Sequence, residues 1–322
     1  MKFRTEIEVA PWVEPIGYSQ RIVSLGSCFA TNIAQRLHDR KFNVTSSPTG
    51  ILFNPASIAA AVRDMVEGRI VTPEELISLN GNYVSYRFHS SVSGATPEAT
   101  AEHMNETLRA GGEAIKQANL MIVTLGTAWV YRLRSTGVVV ANCHKRPATE
   151  FRRELLSTEE IIEAIEAILS LTRCRLVLTL SPVRHIGEGV EDNSLSKSLL
   201  RVAIAEVMRR HPKCVTYFPS YEIMMDDLRD YRFYASDLVH PSEMAVDYIA
   251  EKFFDAALSA EAKELMSKVV NITRAANHRP SNPRSEQHRA FCQRQIEAID
   301  RLTGVDLSEE RAYFERMLQI NL

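Results

Sequence analysis

Short apolar runs, each followed by a turn and then by a helical pattern, recur through the first 260 residues of the chain and leave few folds open to it. Ile22–Leu25, Leu120–Leu125, Arg175–Leu180 and Cys214–Phe218 are too brief for helices and read as buried strands, with Phe42-Asn-Val-Thr45 as a shorter one. Helical patterns lie between them. Ala30–His38 places Ile33 and Leu37 on one face, and Ala56–Val66 starts behind an Asn54 cap and Pro55. A third pattern runs from Pro97 to Ala118, with an interruption at Gly111-Gly112. Thr158–Leu171 turns Ile161, Ile162, Ile165 and Leu169 inward. Further patterns cover Ser194–Arg210 and Ser242 to about Leu258. Strands alternating with helices imply an α/β fold, a three-layer α/β/α sandwich around a parallel sheet. Right-handed crossovers then place helices on both faces, and the expectation is five strands in the flavodoxin-like order.

The first of these units carries the strongest local signal. Gly26 ends the run Ile22–Leu25 and permits a sharp turn into the helix, so Ser27 and Cys28 fall at the carboxyl end of a strand beside a helix N-terminus. Backbone N–H groups and the helix dipole favour developing negative charge there, which suits a nucleophile. Ligands of such sheets bind beyond the carboxyl ends of the strands. Cys28, Gly126, Ser181 and the loop Asp237–His240 all fall at those ends, so four segments converge on one crevice.

The remaining segments decorate that unit. Residues 1–20 read as an extended arm, Ser46–Pro55 as a loop and Tyr83–Ser90 as a half-exposed strand or hairpin. Trp129–Leu133 and Val138–Ala141, joined by Arg134–Gly137, form an inserted hairpin that delivers Asn142-Cys-His-Lys145 to its end. After Leu258 come three helical patterns: Leu265, Val269 and Ile272; then, beyond the linker His278–Arg284, Phe291, Ile296, Ile299 and Leu302; then Phe314, Met317 and Leu318. Gly304 can end the second, and Asp306-Leu-Ser-Glu309 can cap the third as a capping box. The chain therefore divides into residues 1–258 and a helical extension, 259–322, packed on the domain or on a second copy of the chain.

Composition excludes several classes. With 38 basic against 40 acidic residues and no long basic run, neither nucleic acid nor an anionic membrane surface is an expected partner. No apolar run approaches the roughly 18 residues of a membrane span, and the start Met1-Lys-Phe-Arg-Thr-Glu6 lacks a signal-peptide core, so the cytoplasm is the expected compartment. The cysteines at 28, 143, 174, 214 and 292 show no CxxC spacing, which argues for free thiols rather than disulfides or zinc; no metal or other cofactor is expected.

Gly26-Ser-Cys-Phe-Ala30, Gly126-Thr-Ala-Trp129, Asn142-Cys-His-Lys145, Ser181-Pro-Val-Arg184 and Asp237-Leu-Val-His-Pro241, in this order, resemble the GSCFA family, which is related to the SGNH (GDSL-type) hydrolases. The similarity covers about residues 20–258. It implies an SGNH hydrolase-like sheet and puts Cys28 where those enzymes carry a serine nucleophile. Asp237 and His240 then match the DxxH block that supplies a general base and its orienting acid, a pairing in which the carboxylate fixes the imidazole tautomer. Ser27, Gly50 and Gly126 are candidate substrate-binding or oxyanion residues, Gly50 as the second-block glycine whose N–H binds the oxyanion. The helix N-terminus and a protonated His240 are expected to lower the Cys28 pKa.

One block departs from the pattern. SGNH enzymes present Gly-x-Asn where this chain has Gly126-Thr127-Ala128, so one oxyanion donor is missing. Asn142 is the candidate replacement, with His144 and Lys145 as substrate contacts. The resemblance implies an acyl esterase that removes a short acyl group, such as acetyl, from a carbohydrate or similar polar molecule through a covalent acyl-enzyme. Two alternatives stand beside it: an O-acyltransferase with the same site, and a non-catalytic carbohydrate-binding module with a decayed site. Residue by residue, plainer roles are also open: Cys28 as a small core residue, Asp237 as a helix cap, His240 as a turn residue, Cys143-His144 as half a metal site, and Trp129, Tyr131 and Leu133 as hairpin packing rather than a sugar platform.

Overall fold

A computed structural model describes residues 4–320. The first half of the sheet is built by β1 (Arg21–Gly26), α1 (Cys28–His38) and β2 (Asn43–Ser46), followed by α2 (Pro55–Glu67). The Asn54 side chain accepts the Ser57 N–H at 2.8 Å and Pro55 takes the first helical position, so α2 starts where the cap signal puts it. A small hairpin, β3 (Ile77–Leu79) and β4 (Asn82–Val84), precedes α3 (Pro97–Gln117) and the central strand β5 (Leu120–Leu125). The insertion follows as β6 (Trp129–Leu133), β7 (Val139–Val140) and β8 (Phe151–Leu155). Then come α4 (Thr158–Leu171), β9 (Arg175–Leu180), α5 (Val190–Arg210) and β10 (Val215–Phe218). The short α6 (Ser220–Glu222) runs into a π-helical turn at Ile223–Asp227, and α7 (Glu243–Ala257) closes this part of the chain.

Five strands form one parallel sheet in the order β10-β9-β5-β1-β2, which counted along the chain is 2-1-3-4-5. Every residue of β5 is buried, as expected of a central parallel strand covered on both faces. Adjacent residues feed two separate cores. Val23, Val123 and Leu178 face α2, α3, α4 and α5, where Ile58, Met104, Ile165 and Ile204 meet them. Ile22, Ile122 and Val177 face α1 and α7, against Phe29, Ile33, Ile249 and Phe253. The period of two in each strand thus becomes a three-layer sandwich.

Several local expectations change in three dimensions. The pair Gly111-Gly112 does not interrupt α3, because it serves a close helix crossing: a Cβ on Gly112 would lie 2.4 Å from the Met65 carbonyl oxygen of α2. The inserted hairpin is a three-stranded antiparallel sheet, β7-β6-β8; its third strand, Phe-Arg-Arg-Glu-Leu, is too charged to read as one. The pairing of Tyr83–Ser90 stops at Val84, and Tyr83 pairs further with Gly94. In α4, Ile168 rather than Leu169 completes the buried face.

The chain ends in α8 (Ala260–Asn277), α9 (Glu286–Asp300) and α10 (Ser308–Gln319). Their apolar faces meet in a core of their own, with Val269, Ile272, Cys292, Ile299, Leu307 and Phe314 buried together and Tyr18 packed on it. The Asp306–Glu309 capping box is not formed; Asp306 instead accepts the Ser308 N–H at 3.0 Å, while Glu309 and Glu310 reach back to Lys41 at 2.9 and 2.8 Å. Among the described residues, no helix is long and apolar enough to cross a membrane.

Candidate active site

Gly26 closes β1 with φ 128°, a conformation L side chains rarely adopt, and its carbonyl accepts the Leu52 N–H at 2.9 Å. The Ser27 N–H donates to Thr124 O at 3.1 Å, which ties the turn to β5. Ser27 holds the N-cap position of α1, yet its hydroxyl is fully buried, caps nothing and has no hydrogen-bond partner. Cys28 opens the helix half-buried, and the backbone N–H groups of Phe29 and of Cys28 itself serve its sulfur. The two neighbours therefore differ in access: Ser27 is fully buried and Cys28 half-buried. The expected lowering of its pKa does not appear. Burial pushes the thiol up, against the backbone N–H groups and Lys197, which pull it down, while Asp237 adds a smaller upward push.

The Asp237–His240 loop forms the second wall. Asp237 Oδ2 lies 2.7 Å from His240 Nδ1, and its Oδ1 accepts the N–H groups of Val239 at 2.9 Å and His240 at 3.0 Å. Those backbone donors, first His240 and then Val239, and after them the imidazole, hold the carboxyl down at about 2. Leu238 takes φ 58° to make the turn. Arg184 N–H donates to Val239 O at 3.2 Å, which fastens the loop to the Ser181–Arg184 segment, and Asp237 lies near enough for its charge to act on the Cys28 thiol. Among the described residues no hydrogen bond joins the Cys28 sulfur to the His240 imidazole; such bonds often tighten only in the substrate complex. Because folding depresses the Asp237 pKa, its stabilisation of the loop is complete above the unfolded value of 3.8 and fades as pH falls toward about 2. A carboxyl-carbon NMR titration should find Asp237 near pH 2, rising in His240→Ala; an unshifted titration near 3.8 would contradict this reading.

The other expected site residues fare differently. Gly50 uses its N–H within a turn, on Ser47 O at 2.8 Å, and a Cβ there would sit 2.4 Å from His89 Cβ; close packing at φ 81° explains the glycine, and its amide is no free oxyanion donor. The Gly126 N–H donates to Phe53 O at 2.7 Å. His144 is buried with Nε2 2.8 Å from Ser85 O and Nδ1 3.3 Å from Ser90 Oγ, and burial lowers its pKa, so the ring ties the insertion to the Ser85–Ser90 segment. Asn142 lines a cleft of about 470 Å³ together with Phe53, Thr127, Trp129 and His185, but its amide is engaged, Nδ2 on Ser90 Oγ at 3.2 Å and Oδ1 on the His144 N–H at 2.7 Å. Lys145 is exposed. Trp129 joins the insertion to α5, its ring 3.5 Å from the Arg153 guanidinium carbon and its N–H on Asp192 O at 3.2 Å. No group of side chains suited to a metal occurs among the described residues.

Sequence reasoning missed two residues. Lys197 of α5 is 2% exposed, and its Nζ donates at 2.7 Å to both Gly126 O and Ser181 O, so it clamps the ends of β5 and β9. Burial brings it from 10.5 down to about 7, with the Cys28 thiolate pulling the other way. His185 is largely buried; burial first, then Lys197 and His240, bring it down to about 4. Its N–H is held by Asn193 Oδ1 at 2.9 Å, and the neighbouring Ser196 Oγ accepts the Ala128 N–H at 2.7 Å. A signal existed: Asn193, Ser196 and Lys197 extend, with polar residues, the buried stripe Leu200, Ala203, Ile204 and Val207 of α5.

Comparison with known proteins adds the family. No curated protein matches the chain. Among solved structures it is similar to a Clostridium thermocellum family 3 carbohydrate esterase, at 11% identity over 80% of this chain and 99% of that one; the TM-score of 0.33 is too low to carry an argument. Residues 269–320 match the C-terminal domain of GSCFA domain proteins. Residues 21–253, the whole sheet and the crevice at its carboxyl edge, match the GSCFA family, and the chain belongs to that family.

Proposed function

We propose that the chain is an ester hydrolase of the SGNH type, on a flavodoxin-like sheet, acting through an acyl-thioester on Cys28. The observation that carries this reading is the 2.7 Å Asp237–His240 contact on a loop whose Asp237 charge acts on the Cys28 thiol. His240 takes the thiol proton as the sulfur bonds to the ester carbonyl carbon and the carbonyl π pair moves onto oxygen. When that pair returns, the alkoxide leaves with the proton from His240. Water, deprotonated by His240, then attacks the thioester, and the acid leaves as the thiol is restored. Asp237 keeps the imidazole oriented and stabilises its cation. A raised thiol pKa suits this route, in which the proton departs as attack occurs. The substrate is a short acyl ester of a carbohydrate or similar polar small molecule, and an alcohol in place of water would make the same site an O-acyltransferase. Residues 1–258 carry the site, and 259–322 form the helical extension.

Acid-quenched mass spectrometry after exposure to p-nitrophenyl acetate tests the proposal. An acetyl adduct should map to Cys28, vanish in Cys28→Ala and survive in Ser27→Ala, and His240→Ala should slow p-nitrophenol release about 100- to 10,000-fold. An adduct on Ser27, or turnover unaffected by Cys28→Ala, would sink it. Acetyl passed to an added alcohol without hydrolysis would assign the acyltransferase.

A further inference from the structure

We infer that His185 supplies the oxyanion donor that the third block lacks: its Nε2–H binds the ester carbonyl oxygen and the oxyanion formed as Cys28 attacks. The inference rests on the ester-hydrolase reading above and assigns a catalytic residue within that site.

Elimination leads there first. Ala128 offers no side-chain donor; the Gly50 N–H is engaged on Ser47 and the Gly126 and Thr127 N–H groups both on Phe53 O, while the Asn142 amide is tied to the insertion, one N–H on Ser90 and its oxygen on the His144 N–H. His185 Nε2, by contrast, is buried and has no hydrogen-bond partner. An unmet buried polar atom costs about 1–3 kcal/mol, so it is retained most readily where a ligand completes it.

Position is the second support. A Cβ on Gly126 would lie 3.2 Å from His185 Nε2, so the bare glycine backbone at the end of β5 leaves the imidazole its place. β5 pairs with β1, which leads into Cys28, with Gly26 opposite Thr124. The imidazole also lines the cleft shared by Phe53, Thr127 and Asn142. Its mount is rigid: Asn193 holds its backbone N–H, its ring meets Phe53 edge-on with centroids 5.5 Å apart, and the adjoining Arg184 N–H is bonded to the His240 loop.

The protonation state agrees with the role. Burial, Lys197 and His240 keep the ring neutral at ordinary pH. A neutral imidazole polarises a carbonyl through its N–H without surrendering the proton, a division of labour in which a second group does the acid–base work. Here the sulfur bonds to carbon, the π pair moves to oxygen under the His185 N–H, and the pair returns to expel the alkoxide, which is protonated by His240.

Single-turnover acetylation by p-nitrophenyl acetate, run beside iodoacetamide alkylation of the same proteins, separates this role from others, since alkylation forms no oxyanion. His185→Ala should acetylate about 100- to 1,000-fold more slowly, mainly in the rate constant rather than the half-saturating concentration. Its Cys28 alkylation should stay within about threefold of wild type, which also certifies the fold. His185→Gln, whose amide nitrogen can reach the position of Nε2, should recover most of the loss. Acetylation within about threefold of wild type in His185→Ala, or equal losses of acetylation and alkylation in both variants, would overturn the assignment. Absence of any acetyl-thioester in the wild type would instead remove the ester-hydrolase reading, and this inference with it.

Discussion

Gly26→Ala should lower the unfolding free energy by about 4 kcal/mol, a large share of the ~5–15 kcal/mol that holds a domain folded. The reason lies in two independent restraints on one methyl group. At φ 128° an L side chain is strained, at about 1–3 kcal/mol. The added Cβ would stand 2.1 Å from the Thr124 carbonyl oxygen and 2.9 Å from Thr124 C and N, and backbone in the centre of a sheet cannot swing aside as a flexible side chain can. Relief requires parting β1 from β5 where the Ser27 N–H bonds Thr124 O, which adds overpacking of about 1–3 kcal/mol. Gly137→Ala is the control, since nothing lies within 4 Å of its Cβ position, although φ 72° is strained there too. Urea unfolding should rank Gly26→Ala far below Gly137→Ala; equal midpoints would refute the argument.

Lys197→Met should change the pH dependence of stability more than any other single substitution in the crevice. Folding lowers the Lys197 pKa from 10.5 to about 7, so between those values the unfolded chain holds a proton that the folded one has released. Stability then rises with pH across that window, by about 1.4 kcal/mol per pH unit for one proton, while below about 7 both states are protonated and the cost of burying the cation is fully present. Cysteine and tyrosine ionisations act in the opposite direction in the same range, as burial raises the Cys28 pKa, so the wild-type curve alone is ambiguous. The difference between wild type and Lys197→Met cancels most of them. That difference should shift in favour of wild type by on the order of 4 kcal/mol from pH 7 to pH 10. The variant also leaves Gly126 O and Ser181 O without their shared donor, at about 1–3 kcal/mol each, a cost that does not vary with pH. Urea unfolding of both proteins at each pH unit measures the shift; parallel curves would show that Lys197 is protonated equally in the folded and unfolded chains.

What the sequence by itself determined is whatever depends on near neighbours. The apolar runs of β1, β5, β9 and β10, the cap at Asn54-Pro55 and the turn at Gly26 are local and place Cys28 just past the end of β1, and the Asp237–His240 pair is local too, because three-residue spacing in one turn is enough to join a carboxylate to an imidazole. Tertiary structure alone decided the rest. Phe151–Leu155 is a strand only because β6 offers its edge, and Gly111-Gly112 stays helical because α2 passes close by. The Gly50 N–H and the His144 ring are bonded to Ser47, Ser85 and Ser90, partners that no spacing rule identifies. The direction of the Cys28 pKa, and the presence of Lys197 and His185 in the crevice, followed from burial. Desolvation is a property of the packed surroundings, assembled here from segments distant in the chain, and it outweighs the helix N-terminus that the residues around Cys28 announce.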